Sequence, residues 1–330
     1  MLPDARASHA AETAMSPRVA ASAGLKAVRP AHTYSIVARD PETGELGVAV
    51  QSHWFSVGSS VAWAEAGIGA VATQSFIEPS YGPLGLDLMR AGKSAPAALK
   101  GLLAADDHTD VRQVAMVDAM GRVAVHTGEH SITAHCEITG EGFSVQANLM
   151  ERDTVCAAMA RAWRTTKGDL AARMMAALKA AQGEGGDIRG RQSAALLVVD
   201  GKRHGAPWQG RIFDLRVEDS ERPLVELDRL LGVARAYREM DLGDQAMTRG
   251  DMAAALAHYA AAERMAPDNH EMVFWHAVTL AANGRVDEAL PLFAKAYAMW
   301  PKWRELVVRL PKSGLLPNDP ALIARIVSAK

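Results

Sequence analysis

The chain has 330 residues with a formal net charge of −2; 49% of the residues are hydrophobic and 22% are charged. This composition allows a sizeable core, and the near-neutral charge argues against a general nucleic-acid binder, which normally presents a basic face. No apolar run reaches the ~18 residues that a membrane span needs. The length fits about two domains, and we expect neither a nucleic-acid nor a membrane partner.

Residues 1–31 are Ala-rich with scattered charges, and they lack the uninterrupted apolar segment of a secretory signal. We take them as a disordered leader. Two other interpretations stay open: a processed pro-segment, and an overlong start with Met15 as the true first residue. The two cysteines, Cys136 and Cys156, predict no disulfide framework, and each is expected to fill space in a core or near the surface. We therefore expect a cytoplasmic protein.

Residues 32–200 show strand-like alternation interrupted twice by helical spacing. Strands are predicted at 33–40, 46–51, 60–64, 68–74, 114–117, 123–126, 143–146 and 194–199, and helices at 84–89, 95–102, 150–165 and 170–182. The order is strands, helices, strands, helices, strand, without the regular crossovers of a doubly wound fold. It predicts an α+β class and a four-layer αββα sandwich, in which two stacked sheets have helices outside both.

Residues 201–223 are rich in Gly and Pro and are predicted to be a linker, and 224–330 to be an all-α domain. That domain contains a repeat with an offset of 34 residues, shown by Gly250 and Gly284, Ala255 and Ala289, Tyr259 and Phe293, Ala262 and Ala296, and Pro267 and Pro301. The period and residue types resemble the tetratricopeptide repeat. Segments 224–231 and 304–330 are expected to cap the repeats, which would bind a protein partner or mediate self-association.

Several segments of 32–200 resemble the DUF1028 family. They are TYSIVARDPETGELGVAV from Thr33, GIGAVATQ from Gly67, PSYGP from Pro79, GEGFSVQAN from Gly140 and GRQSAAL from Gly190. The resemblance implies the fold of N-terminal-nucleophile hydrolases, which is the αββα sandwich, and a hydrolase ancestry. No cofactor and no metal is expected.

Thr33 opens the first predicted strand and is the candidate nucleophile. If the peptide bond before it is cut, the freed α-amine can act as general base for the Thr33 hydroxyl, since such an amine titrates near pH ~8. Family members often begin at or one residue before this threonine, whereas here His32 and a longer leader precede it. No lysine lies between 27 and 92 to lower the pKa of that amine. The alternative is an ordinary strand threonine.

Other polar residues would complete the site. Gln74 and Asn148 are candidate oxyanion donors, and Asn148 is alternatively the N-cap of the following helix. Arg189 and Arg191, in a Gly-rich loop, are expected to grip a substrate carboxylate, or one of them pairs with Asp187. The predicted substrate-binding residues are Ser52, His53, Ser75, Asp187, Arg189 and Arg191.

Two functions from different classes follow. The first is an N-terminal-nucleophile-type amidohydrolase of a small amide or peptide-like substrate, active at once or only after the leader is cut. The second is a binding or scaffold protein that keeps the sandwich fold and acts through its helical repeats. A homo-oligomer is expected in either case.

Overall fold

The computed structural model describes residues 33–330, so the predicted leader lies outside the described residues. The strands of the described chain form two sheets, in which every neighbouring pair is antiparallel. The six-stranded sheet has the order β10-β9-β2-β1-β8-β7 and the four-stranded sheet the order β3-β4-β5-β6. The strands are β1 (Thr33–Arg39), β2 (Leu46–Ser52), β3 (Ala62–Glu65), β4 (Gly69–Ser75), β5 (Arg112–Asp118), β6 (Val123–Thr127), β7 (Cys136–Gly140), β8 (Phe143–Ala147), β9 (Ser193–Val199) and β10 (Arg211–Val217).

Helices lie between and after these strands. In the N-terminal region they are α1 (Gly58–Val61), α2 (Tyr81–Arg90), α3 (Ala95–Leu103), α4 (Val155–Thr165) and α5 (Leu170–Gly183). The C-terminal region has α6 (Pro223–Thr248), α7 (Met252–Met265), α8 (His270–Ala282), α9 (Val286–Met299), α10 (Trp303–Val307) and α11 (Pro320–Val327). Among residues 33–330 no helix is long and apolar enough to cross a membrane.

The two sheets face each other across an apolar core to which both contribute, with Val37, Val48 and Val50 from one sheet and Ala72 and Val117 from the other. Helices α2 and α3 pack on the opposite face of the four-stranded sheet, and α4, α5 and the start of α6 cover the six-stranded sheet. The N-terminal region is therefore a mixed α/β unit with antiparallel sheets, and the C-terminal region is helical, which confirms this part of the predicted fold class.

The predicted linker 201–223 contains β10, which pairs with β9 at the edge of the sheet. Part of the predicted linker therefore belongs to the six-stranded sheet, because Phe213 and Val217 bury their side chains in the core beneath the helices. The following helix also differs from its prediction. The segment expected at 224–231 is the first part of α6, which continues without a break to Thr248.

Cys136 and Cys156 form a disulfide that ties β7 to the first turn of α4. The expectation that each cysteine only fills space is wrong, since a strand edge and a helix that lie 20 residues apart in sequence place the two side chains together. Disulfides persist in oxidising compartments and are rare in the cytosol. The bond therefore does not favour the predicted cytoplasmic location, which stays a prediction.

The C-terminal helices pack as successive antiparallel pairs, α6 with α7 and α8 with α9. Three of the five residue pairs at the 34-residue offset are buried at the helix contacts, since Ala255, Tyr259 and Ala262, like Ala289, Phe293 and Ala296, are at most 1% exposed. The Gly and Pro pairs are exposed at the helix ends. Small residues let the helices approach. A Cβ atom added at Gly243 of α6 would lie 2.7 Å from Cε1 of Tyr259 of α7.

Candidate functional site

Polar side chains replace apolar ones at one end of the space between the two sheets, where β1 begins. We call the following eight residues the polar layer; each has 0% exposure: Thr33, Ser35, Ser52, Gln74, Gln113, Ser144, Gln146 and Asn148. Buried amides and hydroxyls are costly unless they are hydrogen-bonded. Hydrogen bonds within the layer and to neighbouring backbone offset this cost.

Gln113 of β5 is the centre of the polar layer. Its Oε1 accepts hydrogen bonds from Nε2 of Gln74, at 2.7 Å, and from Nδ2 of Asn148, at 2.9 Å. Its Nε2 donates to the backbone oxygen of Ala147, at 3.1 Å, and to Oγ1 of Thr127, at 3.0 Å. The two predicted oxyanion donors are thus brought together, and both donate to one internal acceptor.

Ser35 of β1 joins the two sheets. Its Oγ donates to Oε1 of Gln74 at 2.6 Å and accepts from Nε2 of Gln146 at 2.5 Å. Gln146 in turn accepts from Oγ of Ser144 at 2.9 Å. Hydrogen bonds therefore run in one direction from Ser144 through Gln146, Ser35 and Gln74 to Gln113, an arrangement in which each bond polarises the next.

Thr33 is fixed at the edge of this layer. It pairs with Ser52 across β1 and β2. Its backbone oxygen accepts from the backbone N–H of Asn148, at 3.1 Å, and from Nε2 of Gln74, at 3.2 Å. The Thr33 side chain has 0% exposure, so a substrate does not reach its hydroxyl in this conformation. The alternative role of Asn148 as a helix N-cap is wrong, since α4 begins only at Val155.

Ser75, a predicted substrate-binding residue, ends β4 in a strained conformation. Its φ is 70°, which lies in the left-handed region that few residues other than glycine adopt. Its buried Oγ has no hydrogen-bond partner among residues 33–330. Such strain tends to persist only where the surroundings enforce it, often near functional sites.

Asp187 organises the Gly-rich loop that follows α5. Its side chain has 0% exposure. It accepts from the backbone N–H of His53 at 2.9 Å, from the backbone N–H of Arg189 at 3.0 Å, and from Nη2 of Arg189 at 2.7 Å. Arg189 is thus paired internally with Asp187, as the alternative interpretation expected, and binding of a substrate carboxylate by Arg189 and Arg191 stays a prediction. His53 is exposed, and its Nδ1 lies 3.4 Å from the backbone oxygen of Arg191.

Tyr34 lies on the other face of the same sheet, beneath α5. Its hydroxyl donates to Oε1 of Gln51 and lies 3.1 Å from Oε1 of Gln182. Burial raises the pKa of the Tyr34 hydroxyl well above its ordinary value, the charge of Asp187 raises it further, and Arg191 acts in the opposite direction. Arg191 belongs to this side of the sheet, where it lines a cavity of about 300 Å³ together with Gln182.

A larger cavity, of about 540 Å³, lies in the helical region. We call it the repeat groove; α6, α7, α8 and the segment after α10 line it. The lining residues are Tyr237, Met240, Asp241, Asp244, Met247, Tyr259, Glu271, Met272, Trp275, Val278, Thr279, Ala282, Gly314 and Leu315. They include three carboxylates and three methionines, and none of them is a lysine or an arginine.

Two of the three carboxylates of the repeat groove are held in position by hydrogen bonds from tyrosine hydroxyls. Asp244 accepts from the hydroxyl of Tyr259 at 2.6 Å, and Glu271 from that of Tyr237 at 2.6 Å. Asp241 is exposed and makes no ion pair within the described part of the chain. The groove therefore presents uncompensated negative charge beside polarisable apolar surface.

Comparison with known proteins decides the family. The model of a family of unknown function, DUF1028, matches residues 33–227, more than half of the chain. The chain belongs to the DUF1028 family. The crystal structure of a DUF1028 protein from Silicibacter pomeroyi superposes on this one with a TM-score of 0.54 and 28% sequence identity. The matched region covers 61% of this chain and 88% of the Silicibacter pomeroyi chain. A tetratricopeptide repeat model matches residues 240–302, and no curated protein matches.

In this DUF1028 chain the predicted site residues separate into groups. Thr33, Ser52, Gln74 and Asn148 lie in the polar layer, and Ser75 ends β4 beside Gln74. His53, Asp187 and Arg189 form one cluster in the loop region after α5, and Arg191 lines the cavity of about 300 Å³ with Gln182. Sequence reasoning missed Ser35, Gln113, Ser144 and Gln146 in the layer, and Gln51 and Gln182 around Tyr34. One sequence feature could have indicated the layer: β2, β4, β5 and β8 each contain a single glutamine among buried, largely apolar residues.

Proposed function

We propose that this DUF1028 protein is a binding protein whose repeat groove holds an extended segment of a partner that carries cationic and apolar side chains. One observation carries the proposal: three carboxylates and no lysine or arginine line a groove of about 540 Å³. Complementary charge steers and orients such a partner. The methionines adapt to varied apolar side chains, and the tetratricopeptide repeat match supports a protein partner.

The test compares short peptides of equal length and apolar content that are cationic, neutral or anionic. We expect the full chain to bind the cationic set and to lose affinity about tenfold, or ~1.4 kcal/mol, when Asp241→Lys reverses one charge of the groove. Asp268→Lys is the matched control, because this exposed carboxylate lies in the α7–α8 loop outside the groove. Equal binding by all three peptide sets rejects the proposed chemistry, and binding of a second copy in place of peptide identifies self-association.

The second candidate is the amidohydrolase at Thr33. The polar layer of amides around this residue supports it, as does the stacking of helices, two sheets and helices, the order of layers in the αββα sandwich of N-terminal-nucleophile hydrolases. After cleavage of the His32–Thr33 bond, Oγ1 of Thr33 would attack an amide carbonyl carbon while its proton passes to the new α-amine. The amine would protonate the leaving nitrogen as the C–N bond breaks, and water would then hydrolyse the Thr33 ester.

Intact mass of the freshly purified protein tests this second function. Hydrolysis requires a species that begins at Thr33, and turnover of small amides that Thr33→Ser retains and Thr33→Ala abolishes. Full-length chain alone, or activity that survives in Thr33→Ala, removes Thr33 as the nucleophile. A homo-oligomer and a cytoplasmic location remain predictions alongside both functions.

A further inference from the structure

Arg191 and Arg222 line one cavity, although they lie 31 positions apart in the sequence. Arg191 lies in the loop that enters β9, and Arg222 immediately precedes α6. The cavity measures about 300 Å³, and its remaining lining residues are Lys179, Gln182, Pro223, Leu224, Val225 and Asp228. It is distinct from the repeat groove, which begins at Tyr237, and from the polar layer, which lies on the other face of the six-stranded sheet.

The charges of this cavity do not cancel. Lys179 is paired with Asp228, at 2.9 Å between Nζ and Oδ2. Neither Arg191 nor Arg222 makes an ion pair anywhere in residues 33–330. By contrast, Arg189 of the same loop is held by Asp187. Two uncompensated guanidinium groups therefore line a cavity that already contains a neutralised lysine.

Guanidinium groups bind carboxylates and phosphates through paired N–H donors. The N-terminus of α6 lies in the same wall and adds the positive end of a helix dipole. Leu224 and Val225 supply an apolar surface beside the charges. The side chain of Val225 is accessible to a ligand, since this residue is 54% exposed. The cavity thus offers two anion-binding groups and a small apolar contact.

We propose that this cavity is a binding site for a small ligand that carries a carboxylate or phosphate group and a short apolar part. Arg191 and Arg222 both bind the anionic group. Gln182 contributes a polar contact from α5, and the first turn of α6 packs against the apolar part. Asp228 limits the affinity, because it compensates Lys179 at the rim.

Titration calorimetry of the full chain at low salt tests the site with three probes: butyrate, inorganic phosphate and butylammonium. We expect one of the two anions to bind and the cation not to bind. Preference for butyrate identifies a carboxylate ligand, and preference for phosphate a phosphorylated one. Arg191→Ala and Arg222→Ala should each weaken binding at least fivefold. Arg249→Ala, which removes an exposed arginine at the C-terminal end of the same helix, should leave it unchanged.

A variant that binds the anion more tightly distinguishes a direct effect on this site from a general loss of structure. Asp228→Asn releases Lys179 from its ion pair, so anion binding should strengthen about threefold, with less effect at higher salt. Loss of folding cannot produce such a gain. The proposal is overturned if neither anion binds the wild type, or if Arg191→Ala and Arg222→Ala bind as well as Arg249→Ala.

Discussion

Single residues in the polar layer contribute strongly to the stability of the packing between the two sheets. Gln113 satisfies two amide donors with one oxygen and two acceptors with one nitrogen. Leaving a buried donor or acceptor unsatisfied costs about 1–3 kcal/mol. Replacing Gln113 should therefore lower the free energy of unfolding more than replacing an amide side chain at the surface. The same network holds the backbone oxygen of Thr33, which links the stability of the layer to the position of the candidate nucleophile.

Replacement of Gln113 by methionine tests this residue. The volume is nearly conserved, but Gln74 and Asn148 each lose an acceptor, so we expect the free energy of unfolding to fall by about 2–4 kcal/mol. Gln192→Met is the matched control, because Gln192 donates to Asp219 in an exposed hydrogen bond, and it should change stability by less than about 0.5 kcal/mol. Urea denaturation measures both, and equal effects contradict a central role for Gln113.

The sequence predicted the polar layer only in part. Thr33, Gln74 and Asn148 were found because each lies at a predicted strand end or next to one. Gln113 and Gln146 were missed because their importance depends on strand register: Gln113 faces Gln74 across β4 and β5, and Gln146 faces Ser35 across β1 and β8. Strands so far apart in the chain do not reveal their pairing through composition or periodicity.

At the level of elements, the strands that sequence analysis missed are the two edges of the six-stranded sheet, β7 and β10. Both carry charged or polar residues on exposed positions, such as Arg211 and Asp214 of β10. Charged edges are a common protection against pairing with other chains, and they remove the apolar alternation on which prediction relies. The central strands, buried on both faces, were predicted close to their observed bounds.

Helix α6 offers a matched pair of glycines that tests the packing of the first repeat. A Cβ atom at Gly243 would overlap the ring of Tyr259, whereas no atom lies within 4 Å of one at Gly232. We expect Gly243→Ala to destabilise the helical region by about 1–3 kcal/mol through overpacking. Gly232→Ala should be neutral or stabilising by up to about 1 kcal/mol through helix propensity.

Thermal denaturation followed by circular dichroism distinguishes these two variants. The repeat packing described above requires a lower melting temperature for Gly243→Ala and an unchanged or higher one for Gly232→Ala. The same shift in both variants contradicts a close α6–α7 contact at Gly243, because both substitutions change helix propensity equally and only one introduces a clash.

At the scale of the whole molecule, α6 connects the two regions. Its 26 residues span about 39 Å at ~1.5 Å per residue. The proposed anion cavity lies at its N-terminal end, and the repeat groove begins midway along it. The predicted division into sandwich, linker and repeats missed this continuity, because the Gly and Pro residues of 201–223 indicated a linker, whereas the helix begins at Pro223, soon after β10 ends at Val217.

The central claim is that negative charge in the repeat groove selects the partner, and a charge-swap measurement tests it most directly. Binding of a cationic peptide and of its charge-reversed counterpart is measured with the wild type and with Asp241→Lys. We predict that Asp241→Lys weakens binding of the cationic peptide and strengthens binding of the charge-reversed peptide. Combining the variant with the reversed peptide should then recover part of the lost affinity. Losses that simply add, with no recovery in the swapped pair, would contradict the claim.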